Sequence, residues 1–220
     1  MDFTLIRSRR KTIAIIVDLN GNVTVRAPLR VPLQQIYDFV HSKEGWIRTK
    51  QERIRSIPND PPITFQTGEE FLFLGQRYPL EIKGNVKAPL ILNRQFELSS
   101  THLSKALTVF TRWYCQQAIR VFSERASYYA SQTGLRYKRI RISSARTRWG
   151  SCSSRGTLSF TWRLVMAPMT IIDYVVVHEL VHTQVRNHSR LFWEQVQTIL
   201  PDYKNRIRWL KENGVFLTID

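Results

Sequence analysis

Residues Val175-Val176-Val177-His178-Glu179-Leu180-Val181-His182 decide how this chain is read. Two histidines stand four positions apart, and on a helix that spacing puts both imidazoles on one face, where they can converge on a single ion. Neutral imidazole suits Zn2+, and a hydrolytic zinc site uses three protein ligands with a fourth position left to water. Glu179, next to the first histidine, reaches such a water without occupying the metal. Its role would be general base, taking a proton from the water and passing it to the leaving group. Ile171, Ile172 and the three valines make the approach apolar, as expected of a helix buried on most sides with one polar face.

His188 follows His182 by six residues, the spacing of the extended pattern HExxHxxGxxH, but Val185 stands where that pattern has glycine. Without the glycine the sharp turn must be made elsewhere, and Asn187, which tolerates left-handed backbone, is the expected place. No methionine follows His188, so the Met-turn of the metzincins is absent. The spacing favours His188 as third ligand. Glu194, on the next predicted helix, is the alternative, as the carboxylate of a His2Glu site.

Upstream, the stretch from Arg136 to Arg163 is strand-like and holds eight Arg or Lys and no acid. Leu158-Ser159-Phe160 reads as a strand bordering the cleft, able to pair with an extended peptide. Arg148 is a candidate to stabilise an oxyanion or bind a phosphate. Cys152 reads as a small buried residue, since an activated water makes a thiol nucleophile unnecessary. Trp149, Trp162 and Trp193 read as core around the site, and His41 and His102 fall on predicted helices away from it.

The rest of the chain reads as α+β. Leu103, Leu107, Phe110, Tyr114, Val121 and Phe122 predict a long helix over 101–133 stopped by Gly134, and the chain after Pro168 is helical with breaks near Asn187 and Pro201. Toward the N-terminus, 12–17 and 23–26 predict a β-hairpin turned at Asn20-Gly21-Asn22. Leu33, Ile36, Phe39, Val40, Trp46, Ile47 and Ile54 predict a helix over 32–57 broken at Gly45, and 58–62 reads as a break before short strands over 63–98. The expected organisation is a β-rich region with one helix over 1–100 and a catalytic domain over 101–220.

With 43% hydrophobic residues the chain can bury a substantial core, and it contains no apolar run long enough for a membrane span. Two cysteines, Cys115 and Cys152, make no disulfide framework, so a reducing cytoplasmic setting is expected. The formal net charge is +16, from 33 Lys and Arg against 17 Asp and Glu, a field that favours polyanions such as nucleotides or nucleic acid.

Arg148-Trp149-Gly150-Ser151-Cys152-Ser153, Trp162-Arg163-Leu164, His178-Glu179-Leu180-Val181-His182, Asn187-His188-Ser189 and Phe192-Trp193 follow one another in an order that resembles the YgjP-like metallopeptidase-domain family over nearly the whole chain. SprT-like and WLM zincins are related folds. The resemblance implies a minimal zincin-like domain, its active-site helix packed beside a short sheet, with the first hundred residues as a β-rich accessory layer. It implies His188 as third ligand; zinc as cofactor is expected from the histidine set itself, and a peptide or protein is the leading substrate expectation. A nucleotide-hydrolysing activity is also attributed within the family, for which Arg146, Arg148, Arg155 and Arg163 would neutralise phosphates. A third reading is a nucleic-acid-associated protease gripping phosphates through 136–163.

Overall fold

A computed structural model describes residues 2–18, 21–55, 63–84 and 86–219. The fold is α+β, and the chain divides into two compact units, Met1–Pro62 and Ile63–Asp220.

In the first unit, β1 (Thr4–Ser8), β2 (Ala14–Val17) and β3 (Val23–Pro28) form a sheet with β3 at its centre, antiparallel to β2 and parallel to β1. Alternation along β3 turns Val23, Val25 and Ala27 inward, where they pack with Ile36 and Val40 of α1 (Leu33–Ser42) and Ile47 of α2 (Glu44–Arg55). The expected hairpin is β2–β3; Asn20 of its turn lies outside the described residues, as does the expected break at 58–62. The single helix expected over 32–57 is two helices, interrupted at Lys43 (φ −110, ψ 8) rather than at Gly45. Leu33 and Trp46 face outward instead of contributing to the core.

The second unit begins with β4 (Glu70–Phe73), β5 (Gln76–Lys83), β6 (Leu90–Leu92) and β7 (Phe96–Ser99), a sheet in the order β4-β5-β7-β6. It packs on α3 (Ala106–Thr133) through Phe110, whose ring centroid lies 4.3 Å from that of Phe71 and 5.2 Å from that of Phe96. Because these strands share one core with the helices that follow, the compact units divide at 62/63 and not at the 100/101 change of character read from sequence. α3 ends at Gly134 (φ +71), as expected. Leu103 and Leu107 are exposed, because a 3-10 turn over Ser100–Lys105 precedes the helix and the buried stripe starts with Ala106, Phe110 and Tyr114.

Next come β8 (Arg139–Ser143), β9 (Gly150–Cys152) and β10 (Thr157–Thr161), with β10 in the middle, parallel to β8 and antiparallel to β9. After a 3-10 turn over Trp162–Met166 come α4 (Met169–Val181), α5 (Arg190–Ile199) and α6 (Tyr203–Asn213). α4 carries the two-histidine motif, and its start is fixed from three sides. The N–H groups of Leu74 and Gly75, at the β4–β5 turn, donate to the carbonyls of Val165 and Met166, both at 2.9 Å. Arg125 of α3 grips both oxygens of Asp173 at 2.6 and 3.0 Å, and Arg206 of α6 donates to the Thr170 carbonyl at 2.8 Å. Among the described residues no helix is long and apolar enough to cross a membrane.

Candidate active site

The last turn of α4 presents His178 and His182 on one face. The chain then turns back so that His188 joins them, and the nearest ligand atoms of the three residues lie within 4.8 Å of one another. Nε2 of His188 is 3.0 Å from Nε2 of His178 and 3.2 Å from Nε2 of His182. Nitrogens held 2.0–2.1 Å from a tetrahedral zinc ion are about 3.3–3.4 Å apart, so the spacing of His188 from each of the other two is within a few tenths of an ångström of what a shared ion needs. Nδ1 of His182 lies 2.9 Å from the carbonyl of Val185, which can only accept; the proton therefore sits on Nδ1 and leaves Nε2 a lone pair. Burial, then the charges of His182 and His188, push His178 down to about 3, and burial also lowers His182. Both rings are thus neutral at physiological pH, as metal ligation requires. The three Nε2 atoms converge on one point, where a cation could take a lone pair from each neutral ring: the donor set fits a divalent metal.

The turn is not made as the sequence predicts. Among the described residues only Phe65 and Leu74 combine a side chain with positive φ, so Asn187 is not left-handed. Instead the helix tightens as it ends: Thr183 N–H donates to the Leu180 carbonyl, and the N–H groups of Gln184 and Val185 both reach the Val181 carbonyl. Asn187 contributes through its side chain, Oδ1 accepting the Ser189 N–H at 3.3 Å. Arg186 pins the loop to the β9–β10 turn, donating to the carbonyls of Ser153 and Ser154 at 2.8 and 2.9 Å. Sequence reading passed over Arg186, whose only signal was its place between two ligand candidates. It also gave no separate role to Phe192, whose fully buried ring lies 4.4–4.8 Å from all three imidazoles and forms the floor beneath them.

Glu179 is buried, and burial pushes its carboxyl up to about 8 while the positive charge of Arg148 pulls the other way. It lies against the backbone of β9: a Cβ on Gly150 would fall 2.6 Å from Glu179 Oε1, so any larger residue there would displace the carboxylate. Arg148 itself is exposed. Glu194 is not brought to the histidines; its carboxylate bonds Arg190 one turn back on α5, at 2.7 Å. Arg163 is buried, donating to the Ser144 carbonyl and lying 4.3 Å over the Trp162 ring, so it cannot receive a phosphate. Burial raises the Cys152 thiol and keeps it protonated. Trp162 is core, and Trp193 stacks between His188 and Tyr203. His41 and His102 belong to no such cluster, bonding Glu44 and Thr101 instead.

The family described as YgjP-like, metallopeptidase domain, matches residues 11–213. No curated protein matches the chain. Among solved structures, the metallopeptidase zymogen abylysin of Pyrococcus abyssi is similar at 19% identity over 41% of this chain and 93% of its own, with a TM-score of 0.38.

Proposed function

The chain belongs to the YgjP-like metallopeptidase-domain family, and we propose that it is a zinc-dependent peptidase in which His178, His182 and His188 hold the ion and Glu179 is the general base. The observation that carries this reading is the convergence of three imidazole nitrogens beside a buried carboxylate one residue from the first of them. When bound, zinc supplies Lewis acidity, which acidifies water and polarises a carbonyl. Glu179 takes a proton from the attacking water and returns it to the amide nitrogen that leaves. The Val185 carbonyl holds the His182 ring in one tautomer, and Phe192 fixes the planes of all three rings from below. Arg148, whose charge is felt at Glu179, stabilises negative charge on the carbonyl oxygen under attack. Leu158-Ser159-Phe160, read from sequence as the pairing edge, lies in β10, which is already paired on both sides, so the extended substrate pairs instead with β9, an edge of the sheet; two free cysteines suit a reducing cytoplasm.

Metal analysis of the purified protein and of His188→Ala and Glu194→Ala, run beside peptide and nucleoside triphosphate panels, tests it. The expected result is about one zinc ion per chain, lost in His188→Ala and kept in Glu194→Ala, with peptide bonds cleaved. Diphosphate release from nucleotides without peptide cleavage would replace the peptidase reading.

A further inference from the structure

Beside Glu179 a cavity of about 360 Å³ opens between α4 and α6, in the lower range of pockets that hold small ligands. One wall is the α4 face of Tyr174, Val175 and His178; the other is the α6 face of Ile207, Leu210 and Lys211, spaced i, i+3, i+4. Trp149 and Gly150 close it from the β9 side, and Trp149 is held in place by Gly214, where an added Cβ would meet its ring at 2.7 Å. Apart from Glu179 and His178 the walls are apolar or aromatic, with a single Lys or Arg: Lys211, to which no carboxylate of the described residues is bonded.

That distribution of charge orients whatever enters. A substrate carboxylate is drawn to Lys211, the one cation of the lining, at the α6 wall, so a bound residue lies with its carboxylate toward Lys211, its side chain against Val175, Ile207 and Leu210, and its amide toward Glu179 and His178. We propose that this cavity is a substrate subsite for a large apolar residue flanking the scissile amide, selected together with an adjacent carboxylate that Lys211 binds. That carboxylate is either the C-terminus of the substrate or a neighbouring acidic side chain. This rests on the peptidase reading above and adds a substrate class to it: short peptides ending in, or carrying an acid beside, a bulky apolar residue.

Equilibrium binding gives a readout independent of turnover. Methyl NMR of Val175, Ile207 and Leu210 in the zinc-loaded full chain, titrated with N-acetyl-L-phenylalanine and with its C-terminal amide, should show the acid binding about two- to fivefold tighter, the range of one ion pair at an exposed lysine. Lys211→Met, a change at an exposed position, should bring the acid to the affinity of the amide, whereas an acid bound at the metal ion would be indifferent to it. Ile207→Trp, which fills the cavity, should remove binding of both. Cleavage then separates the two sources: a preference for Phe with a free C-terminus over Phe-amide identifies a terminal carboxylate, and a preference for amidated Phe-Glu over Phe-Gln an acidic side chain, each lost in Lys211→Met. Equal affinity for acid and amide, or no effect of Lys211→Met, overturns the proposal even if peptides are cleaved. Probe binding that follows this pattern in a protein that cleaves no peptide leaves the subsite standing and removes the peptidase reading.

Discussion

The two ends of α4 are built on opposite terms. Its start is tied by hydrogen bonds that satisfy both partners: Arg125 with Asp173, Arg206 with the Thr170 carbonyl, and the β4–β5 turn with the two carbonyls just ahead of the helix. Its end gathers three imidazoles whose nitrogens face one another, and a carboxyl that burial holds far from its ordinary value. One end contributes stability, and the other holds a buried carboxyl whose ionisation opposes folding. Substitutions at the two ends should therefore separate fold from function.

The largest expected effect is at the functional end. Glu179→Gln, which keeps the shape and removes the base, should retain zinc by metal analysis and lose about 10²–10⁴-fold in turnover. Full activity with the metal in place would end the general-base assignment. Gly150→Ala inserts a methyl where only 2.6 Å separates it from Glu179 Oε1, so the carboxylate must shift. Turnover should fall about tenfold or more with zinc still bound, as expected when a catalytic group is displaced by about an ångström.

At the structural end, Asp173→Ala leaves Arg125 without its buried partner and should cost about 2–4 kcal/mol, read as a fall in Tm of roughly 5–12 °C. Zinc stoichiometry below the new Tm should be unchanged; loss of zinc in the folded variant would mean that the two ends are not separable. An effect of similar order returns to Glu179 in the zinc-free protein. Its folded pKa is raised from 4.5 to about 8, so ionising it opposes folding: the cost is absent below about pH 4.5, grows as pH rises and is complete above about pH 8. Zinc-free Glu179→Gln should match the wild type in thermal stability near pH 4.5 and exceed it above pH 8. Near zero is the effect expected of His41→Ala and His102→Ala on bound zinc, since neither ring belongs to the cluster.

Much of this was readable from sequence because it depends on short-range periodicity. Four-residue spacing put His178 and His182 on one helix face, the aromatic stripe and Gly134 fixed α3, and alternating valines fixed β3. What escaped depends on contacts between segments far apart in the chain. The 62/63 division follows from Phe71 and Phe96 packing on Phe110, which no local pattern encodes. Leu103 and Leu107 had helical spacing but stand just before and at the start of α3, out of phase with its buried stripe. Val185 in place of glycine was legible as a departure, but the remedy, a tightened helix end pinned by Arg186, was not. The basic run 136–163 read as one phosphate-binding surface, yet Arg163 within it is buried over Trp162, because composition does not reveal which way a side chain points.

The turn between β4 and β5 also bears on how the molecule assembles in time. Leu74 and Gly75 leave the ribosome long before Val165 and Met166, the residues whose carbonyls they bind. Until those arrive the two N–H groups are left to water, and their pairing then closes a long loop, the kind of contact that slows folding. The helix that starts there is anchored only once most of its unit has been made, and the third imidazole comes later still. On the function proposed, a nascent chain would thus carry no assembled hydrolytic centre while its own unfolded segments are within reach, so the order of the sequence itself would delay that activity until there is a fold to contain it.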